Sequence, residues 1–295
     1  MNYYTYCVLD VFTRERYKGN PLAVVFTEGD LLLSSYENIA REFGYSETSF
    51  VYYSKQDKAL KVRSFTPAGF EVKGAGHNLL GAVSAALLCN MDIFSEQQGR
   101  YFVIMKDETI FLSIDHKDND LPFIGMMQRP ATIETMVSPE AVAAAISLNP
   151  DEISAGGLSP AVVRTEVAHL ILPLNNVDIL DKAAPNKSLL AEIASTYKFE
   201  GVYCFTIVEE DPQYIAQARF FNPGMGIDED AATGSAAGPL AGFLYKKKYV
   251  TSNTVYQILQ GVKMKQPSVI EFEVTTEGIW VGGSAVIVME GTIYE

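Results

Sequence analysis

At 295 residues the chain is long enough for about two domains with separate cores, and 48% hydrophobic against 20% charged residues is the balance of an ordinary globular protein. A formal net charge of −13 argues against nucleic acid or an anionic membrane surface as a general partner, yet it permits a local anion site at a helix start. The opening Met1-Asn2-Tyr3-Tyr4 lacks the basic and then apolar pattern of a signal peptide, no apolar run is long enough to cross a bilayer, and Cys7, Cys89 and Cys204 stand apart with no C-x-x-C; a cytoplasmic protein with buried free thiols is expected.

In chain order, Tyr4 to Phe12 reads as a strand, Lys18-Gly19-Asn20-Pro21 as a turn and Leu22 to Phe26 as a second strand. Ser34 with Glu37 offers a capping box for a helix through Phe43. Glu47 to Tyr53 and Leu60 to Phe65 read as strands. After Gly74-Ala75-Gly76, the segment His77 to Cys89 is apolar on nearly every face, as in a helix surrounded by other structure. Strands follow at Tyr101 to Met105 and Thr109 to Ile114. The polar run His116-Lys117-Asp118-Asn119-Asp120 marks the crossing into a second half. There Ser138-Pro139-Glu140 opens one helix and Asn186 to Tyr197 forms another, with strands at Val202 to Val208 and Tyr214 to Phe221. Pro239 falls early in a second apolar run, Ala236 to Tyr245, where the first turn of a helix tolerates it. The tail from Val269 to Tyr294 alternates as two or three strands, with a turn or bulge at Gly282-Gly283.

Two segments of this chain echo each other. Arg63-Ser64-Phe65-Thr66-Pro67 precedes Ala75-Gly76-His77 and an apolar run, and Arg219-Phe220-Phe221-Asn222-Pro223 precedes Ala232-Thr233-Gly234-Ser235 and another. Each copy reads as strand, tight turn, small-residue loop and buried helix start, which predicts two related halves. Helix starts facing each other across a cleft would bring free N–H groups and positive dipole ends to an anion. Strict strand–helix alternation is missing, so a doubly wound sheet is not expected.

Motifs for other chemistries fail on spacing. Gly74-Ala75-Gly76 with Gly81 does not make G-x-G-x-x-G, and there is no P-loop and no H-E-x-x-H. His116 and His169 sit in unrelated contexts, so no metal site is expected, and both read as surface or structural. The polar residues left at the helix starts are His77, Asp230 and Ser235. Taken singly, Asp230 reads as an N-cap and Ser235 as a small packing residue; their coincidence with the duplicated loop raises a functional reading to equal weight, whereas Glu47 is weaker still and reads as a solvated acid beside a strand.

The ordered segments Asp10-Val11-Phe12-Thr13, Gly19-Asn20-Pro21-Leu22-Ala23-Val24-Val25, Ala40-Arg41-Glu42-Phe43, Ser46-Glu47-Thr48, Gly76-His77 and Glu229-Asp230-Ala231-Ala232-Thr233-Gly234-Ser235-Ala236 resemble the phenazine-biosynthesis isomerase family, the PhzF-like proteins, over essentially the whole chain. The resemblance implies an α+β fold of the diaminopimelate-epimerase type: two pseudo-symmetric halves, each with strands curled around a central buried helix. It implies halves of residues 1–117 with about 282–295, and 118–281, with the active site in the cleft between them. It implies a cofactor-independent isomerase that moves a proton within a small carboxylated substrate. Glu47 would be the general acid/base, His77 and Asp230 would position the substrate and shuttle protons, and Ser235 with the N–H groups of Gly76, Gly234 and Ser235 would hold a carboxylate. Asn20 and Thr233 join the substrate-binding set, and a homodimer is expected. Where the related epimerases carry two cysteines this chain has Ala75 and Ala232, so two-thiol racemisation is not available. The family pattern also departs at Asn78, Leu79 and Ala231, and Lys73-Gly74 replaces a common apolar pair, so the substrate does not transfer. A non-catalytic small-carboxylate binding protein and a non-cysteine epimerase are the alternative readings.

Overall fold

The computed structural model describes residues 3–72, 74–91, 96–97, 100–106, 108–115, 121–208 and 211–295; Lys73 and the polar run 116–120, with His116, lie outside the described residues. The chain divides into two compact units, residues 1–127 with 282–295, and residues 128–281.

The first unit contains β1 (Tyr3–Val11), β2 (Asn20–Phe26), α1 (Leu33–Phe43), β3 (Thr48–Ser54), β4 (Ala59–Phe65), α2 (His77–Leu88), β5 (Glu96–Gln97), β6 (Arg100–Met105), β7 (Glu108–Asp115) and β8 (Phe123–Gln128). Successive ladders run β1–β2 antiparallel, β2–β3 parallel, β3–β4 antiparallel, β4–β6 parallel and β6–β7 antiparallel. Parallel neighbours need a crossover, and α1 and α2 supply the two. Residues His77 through Ala86 of α2 are all buried, and the helix packs on β1, β2 and β3. Gly81 allows this close approach: a Cβ there would meet the side chain of Leu22 and lie 2.8 Å from that of Val11. Helix α1 instead covers its sheet with one stripe, Ser35, Tyr36, Ile39 and Ala40, as an amphipathic helix does. The expected capping box is not formed. The helix begins one residue before Ser34, Leu32 is its N-cap without a side-chain bond, and Ser35 turns to the carboxylate of Glu295.

The second unit contains β9 (Thr132–Met136), α3 (Pro139–Val142), β10 (Ala161–Arg164), β11 (Ala168–Pro173), α4 (Val177–Lys182), α5 (Lys187–Tyr197), β12 (Gly201–Ile207), β13 (Ala216–Asn222), β14 (Ile227–Asp230), α6 (Gly234–Lys246), β15 (Val255–Gln260) and β16 (Ser268–Val274). Its ladders repeat the first unit step for step: β10–β11 antiparallel, β11–β12 parallel, β12–β13 antiparallel, β13–β15 parallel and β15–β16 antiparallel. Helix α6 occupies the position of α2 and is buried from Ala236 to Leu244. Pro239 lies at its sixth residue, in the second turn and two residues deeper than in a helix starting at Ala236. The buried Gln128 joins the helix start instead, its Nε2 donating to the Gly234 carbonyl at 2.9 Å.

The tail forms β16 and one long strand, β17 (Ile279–Tyr294). Gly282 and Gly283 make no turn. They lie inside β17 because neighbours press on them: an added Cβ would be 2.5 Å from the Ile124 carbonyl at Gly282 and 2.6 Å from the Phe12 ring at Gly283. From Ala285 to Tyr294 the strand pairs antiparallel with β1, with an irregularity opposite Val8 and Leu9. Each unit is thus a set of strands packed on one buried helix, the α+β architecture that the resemblance implies.

Cys7 and Cys204 are buried and Cys89 is half-buried. Cys7 and Cys89 do not stand apart as the sequence suggests; they hydrogen-bond to each other, and burial pushes both thiols up. His169 is structural, buried on β11 with its ring edge-on to Phe220 at 5.3 Å, and burial lowers its pKa to about 4.

Candidate active site

In the first unit the loop before α2 is held by the helix's own second residue. Asn78 Oδ1 accepts the N–H groups of Gly76 and Leu79, both at 2.8 Å, and its Nδ2 donates to the Gly74 carbonyl at 3.1 Å. A side chain that satisfies orphan donors at a helix start normally comes from the N-cap, and Gly76 has no side chain to offer. The consequence corrects one expectation: the Gly76 N–H already has an acceptor and is not open to a substrate carboxylate. Ser49 Oγ ties β3 to the same loop, donating to the Asn78 carbonyl at 3.1 Å with Ser64 Oγ 2.8 Å away.

His77, buried to 5% exposure, is the first residue of α2, and its Nε2 is 3.4 Å from Ser46 Oγ. Ser46 precedes Glu47, which leads into β3; Glu47 is half-buried and not fully solvated, since its Oε2 is shielded from solvent. The structure therefore brings the S-E-T motif and the loop histidine together, although 31 residues separate Ser46 from His77. Asn20 is buried at the first position of β2.

In the second unit Asp230 ends β14 and is not the helix cap; Thr233 holds that position. Asp230 Oδ2 accepts from Thr233 Oγ1 at 2.6 Å. Behind this pair stands Gln260, fully buried at the end of β15. Its Oε1 accepts from Thr233 N–H at 3.1 Å and from the Tyr203 hydroxyl at 2.8 Å, while its Nε2 donates to the Asp230 carbonyl at 2.8 Å and to Thr233 Oγ1 at 3.1 Å. Gly261, at φ +79°, lets the chain turn away immediately after Gln260, and a Cβ there would be 2.7 Å from the Ala231 carbonyl. Gly234 and Ser235 are the first two residues of α6, so their amides have no acceptor within the helix. The Ser235 side chain is half-buried.

Both arginines of the repeated segment are held by acids. Arg63 Nε bonds Glu71 Oε1 at 2.7 Å; Arg219 binds Glu229 through Nε and Nη2, both at 2.8 Å. Gln260, Tyr203, Glu71 and Glu229 were not singled out by the sequence. Only the acids carried a readable signal, since each follows its arginine into the same kind of loop.

The phenazine biosynthesis-like (PhzC-PhzF) family profile matches residues 9–291. The chain belongs to the PhzF family. A relative from Pseudomonas aeruginosa, a trans-2,3-dihydro-3-hydroxyanthranilate isomerase, is 33% identical over 264 residues, covering 89% of this chain and 87% of the relative. An uncharacterized isomerase of Mesorhizobium japonicum is 31% identical, covering 98% of each chain. The solved PhzF-family protein of Bacillus anthracis superposes with a TM-score of 0.87 at 23% identity and complete coverage of both chains. A hydroxyproline epimerase from Agrobacterium vitis shares the fold at a TM-score of 0.63 and 10% identity, covering 99% of this chain and 91% of that one. The diaminopimelate-epimerase-like fold class therefore holds, and the protein is a PhzF-family isomerase. Among the described residues no group of three His, Cys, Asp or Glu side chains could hold a metal ion, and no helix is long and apolar enough to cross a membrane.

Asn78, one of the positions where the sequence departs from the resembled pattern, organises the loop by hydrogen bonds.

Proposed function

We propose that this PhzF-family protein is a cofactor-independent isomerase that moves a proton within a small carboxylated metabolite, with Glu47 as the general acid/base. The observation that carries the reading is the Glu47 carboxyl oxygen Oε2, shielded from solvent, beside the Ser46–His77 contact. A carboxyl sheltered from water loses part of the solvation that favours its charged form, which suits a group that must both take and return a proton. One carboxyl can remove a proton from one substrate carbon and deliver it to another on the same face, so no thiol pair is needed, and Ala75 and Ala232 provide none.

His77 is the partner proposed to exchange protons with the substrate's amine or hydroxyl. Asp230 is proposed to orient the substrate, its Oδ2 already ordered by Thr233. The carboxylate is assigned to the amides of Gly234 and Ser235 and the Ser235 hydroxyl, where the helix dipole adds to the hydrogen bonds. Gly76 remains in the site as the residue that gives the loop its shape, without its amide. Asn20 is proposed to line the substrate pocket from β2. A homodimer and a cytoplasmic location go with this reading, and sedimentation velocity tests the first.

The P. aeruginosa relative makes trans-2,3-dihydro-3-hydroxyanthranilate the first compound to assay, followed by a panel of unsaturated amino and hydroxy acids. The measurement is exchange of a carbon-bound substrate hydrogen with deuterated water. Glu47→Gln keeps shape and hydrogen bonding but cannot titrate, so exchange should fall by about 10²–10⁴ while binding persists. Unchanged exchange in Glu47→Gln would remove the acid/base role. Binding without exchange across the panel in the wild type would make the protein a carboxylate binder.

A further inference from the structure

The repeated arginines differ in what faces them, and the difference exposes a second site. In the second unit the Arg219 Nη1 donates to three backbone carbonyls at the end of α4: Leu180 at 2.8 Å, Asp181 at 3.2 Å and Ala183 at 2.8 Å. Its guanidinium is covered, with a side-chain exposure of 8%. In the first unit Arg63 is the counterpart. It has the same acid on its Nε side and a ring beneath it, Tyr36 at 4.5 Å where Arg219 has Phe221 at 4.9 Å. Among the described residues no helix end offers carbonyls to its Nη1, whose carboxylate neighbour Asp30 is 3.7 Å away. In place of the three carbonyls there is an open pocket of about 220 Å³, lined by Asp30, Tyr52, Lys61, Arg63, Glu71 and Lys106.

The charges in this pocket are unevenly compensated. Each oxygen of Asp30 accepts a tyrosine hydroxyl, from Tyr36 and from Tyr52, both at 3.1 Å. Glu71 is engaged by Arg63, and Lys61 pairs with Asp57 at 2.8 Å. Lys106, placed beside β4 by its backbone bond to the Val62 carbonyl, has no ion pair among the described residues. With Asp57 counted, three acids and three bases among the described residues balance; within that neutral set the donors without a close acceptor are the Lys106 ammonium and the Arg63 Nη1 edge, 3.7 Å from Asp30.

This pocket is not the candidate active site. Tyr52 pairs with Lys61 and Phe50 with Arg63 across β3 and β4, so these side chains share the sheet face that α1 covers. Ser49 and Ser64 alternate with them and point to the opposite face, where Ser49 bonds the start of α2.

We propose that this pocket binds a small oxyanion-bearing metabolite, a carboxylate or a phosphate, between Lys106 and the edge of Arg63. The ligand oxygens would fill the acceptor position that three backbone carbonyls fill at Arg219. The volume, roughly that of seven waters, suits an inorganic phosphate or a short dicarboxylate.

Titration with inorganic phosphate and, separately, with malonate, followed by amide chemical shifts, tests this. Saturable shifts are expected at Lys61, Arg63 and Lys106 for at least one probe, with Kd around 1 mM or tighter. The probe that saturates says which oxyanion the site takes. Lys106→Met should weaken that binding about tenfold, the loss of one charge-assisted bond, and Lys61→Met should weaken it less because Asp57 shares that ammonium. Glu47→Gln should leave the shifts at these three residues unchanged. Absence of saturable shifts there with both probes overturns the proposal, as does undiminished affinity in Lys106→Met, or loss of these shifts in Glu47→Gln.

Discussion

The two units reach the same strand–loop–helix device by different means. At α2 the loop is organised from within, by Asn78 two residues into the helix, and the Gly76 amide is taken. At α6 it is organised from behind, by Gln260 on a neighbouring strand, and the amides of Gly234 and Ser235, the first two of the helix, have no acceptor within it. The first arrangement sets a histidine beside the Ser46–Glu47 turn; the second leaves donors for an anion. A duplicated backbone has thus been adapted to two different tasks, proton transfer and anion binding in the proposed reading. The arginines beneath the loops have diverged in the same way, one sealed and one bordering a pocket.

The sharpest way to break this comparison is kinetic. If the first unit carries the proton chemistry, Glu47→Gln should lower the turnover of proton exchange by about 10²–10⁴, whereas Ser235→Ala should act mainly on substrate affinity, by about tenfold. Equal effects of both on turnover would dissolve the division of labour. Next come the arginines. Arg219→Met leaves Glu229 and three carbonyls without their buried partner and should cost about 3–5 kcal/mol in urea unfolding. Arg63→Met, at 26% exposure and beside water, should cost about 1–3 kcal/mol. Similar costs would mean that the carbonyl cage adds nothing.

A third test uses pH and belongs to the second unit. His169 is neutral when folded down to about pH 4, whereas an ordinary histidine in the unfolded chain takes a proton near 6.5. The unfolded state therefore binds more protons between these values, and this contribution to stability is lost as pH falls from 6.5 to about 4. The loss should approach 3 kcal/mol, and His169→Leu should flatten that part of the pH–stability curve. The smallest effects concern the anchors of the loops. Gln260→Ala strands the Tyr203 hydroxyl and the Thr233 N–H in a dry interior and should cost about 2–3 kcal/mol. Asn78→Ala should cost about 1–2 kcal/mol, as loss of a capping side chain does, and should free the Gly76 amide. An Asn78→Ala variant with tighter substrate binding would show that the amide can serve as a second anion donor.

The duplicated segments, the burial of both central helices and the polar identity of their starts were legible in the amino-acid sequence, because all three rest on local spacing and on apolar runs that no exposed helix could carry. Most strands were legible too, by alternation. The residues that make each loop work were not. Gln260 carries no signal of its own until β15 is laid beside β13, and Asn78 reads only as a departure from the resembled pattern until its side chain is seen filling the place of an absent N-cap. The capping box at Ser34 is absent because the helix starts earlier, at Leu33, and the glycines at 282 and 283 lie inside a strand where distant neighbours leave no room for a side chain. Local sequence determines which backbone groups need partners; only the tertiary structure decides which distant side chains supply them, because a hydrogen bond is set by position in space and not by separation along the chain.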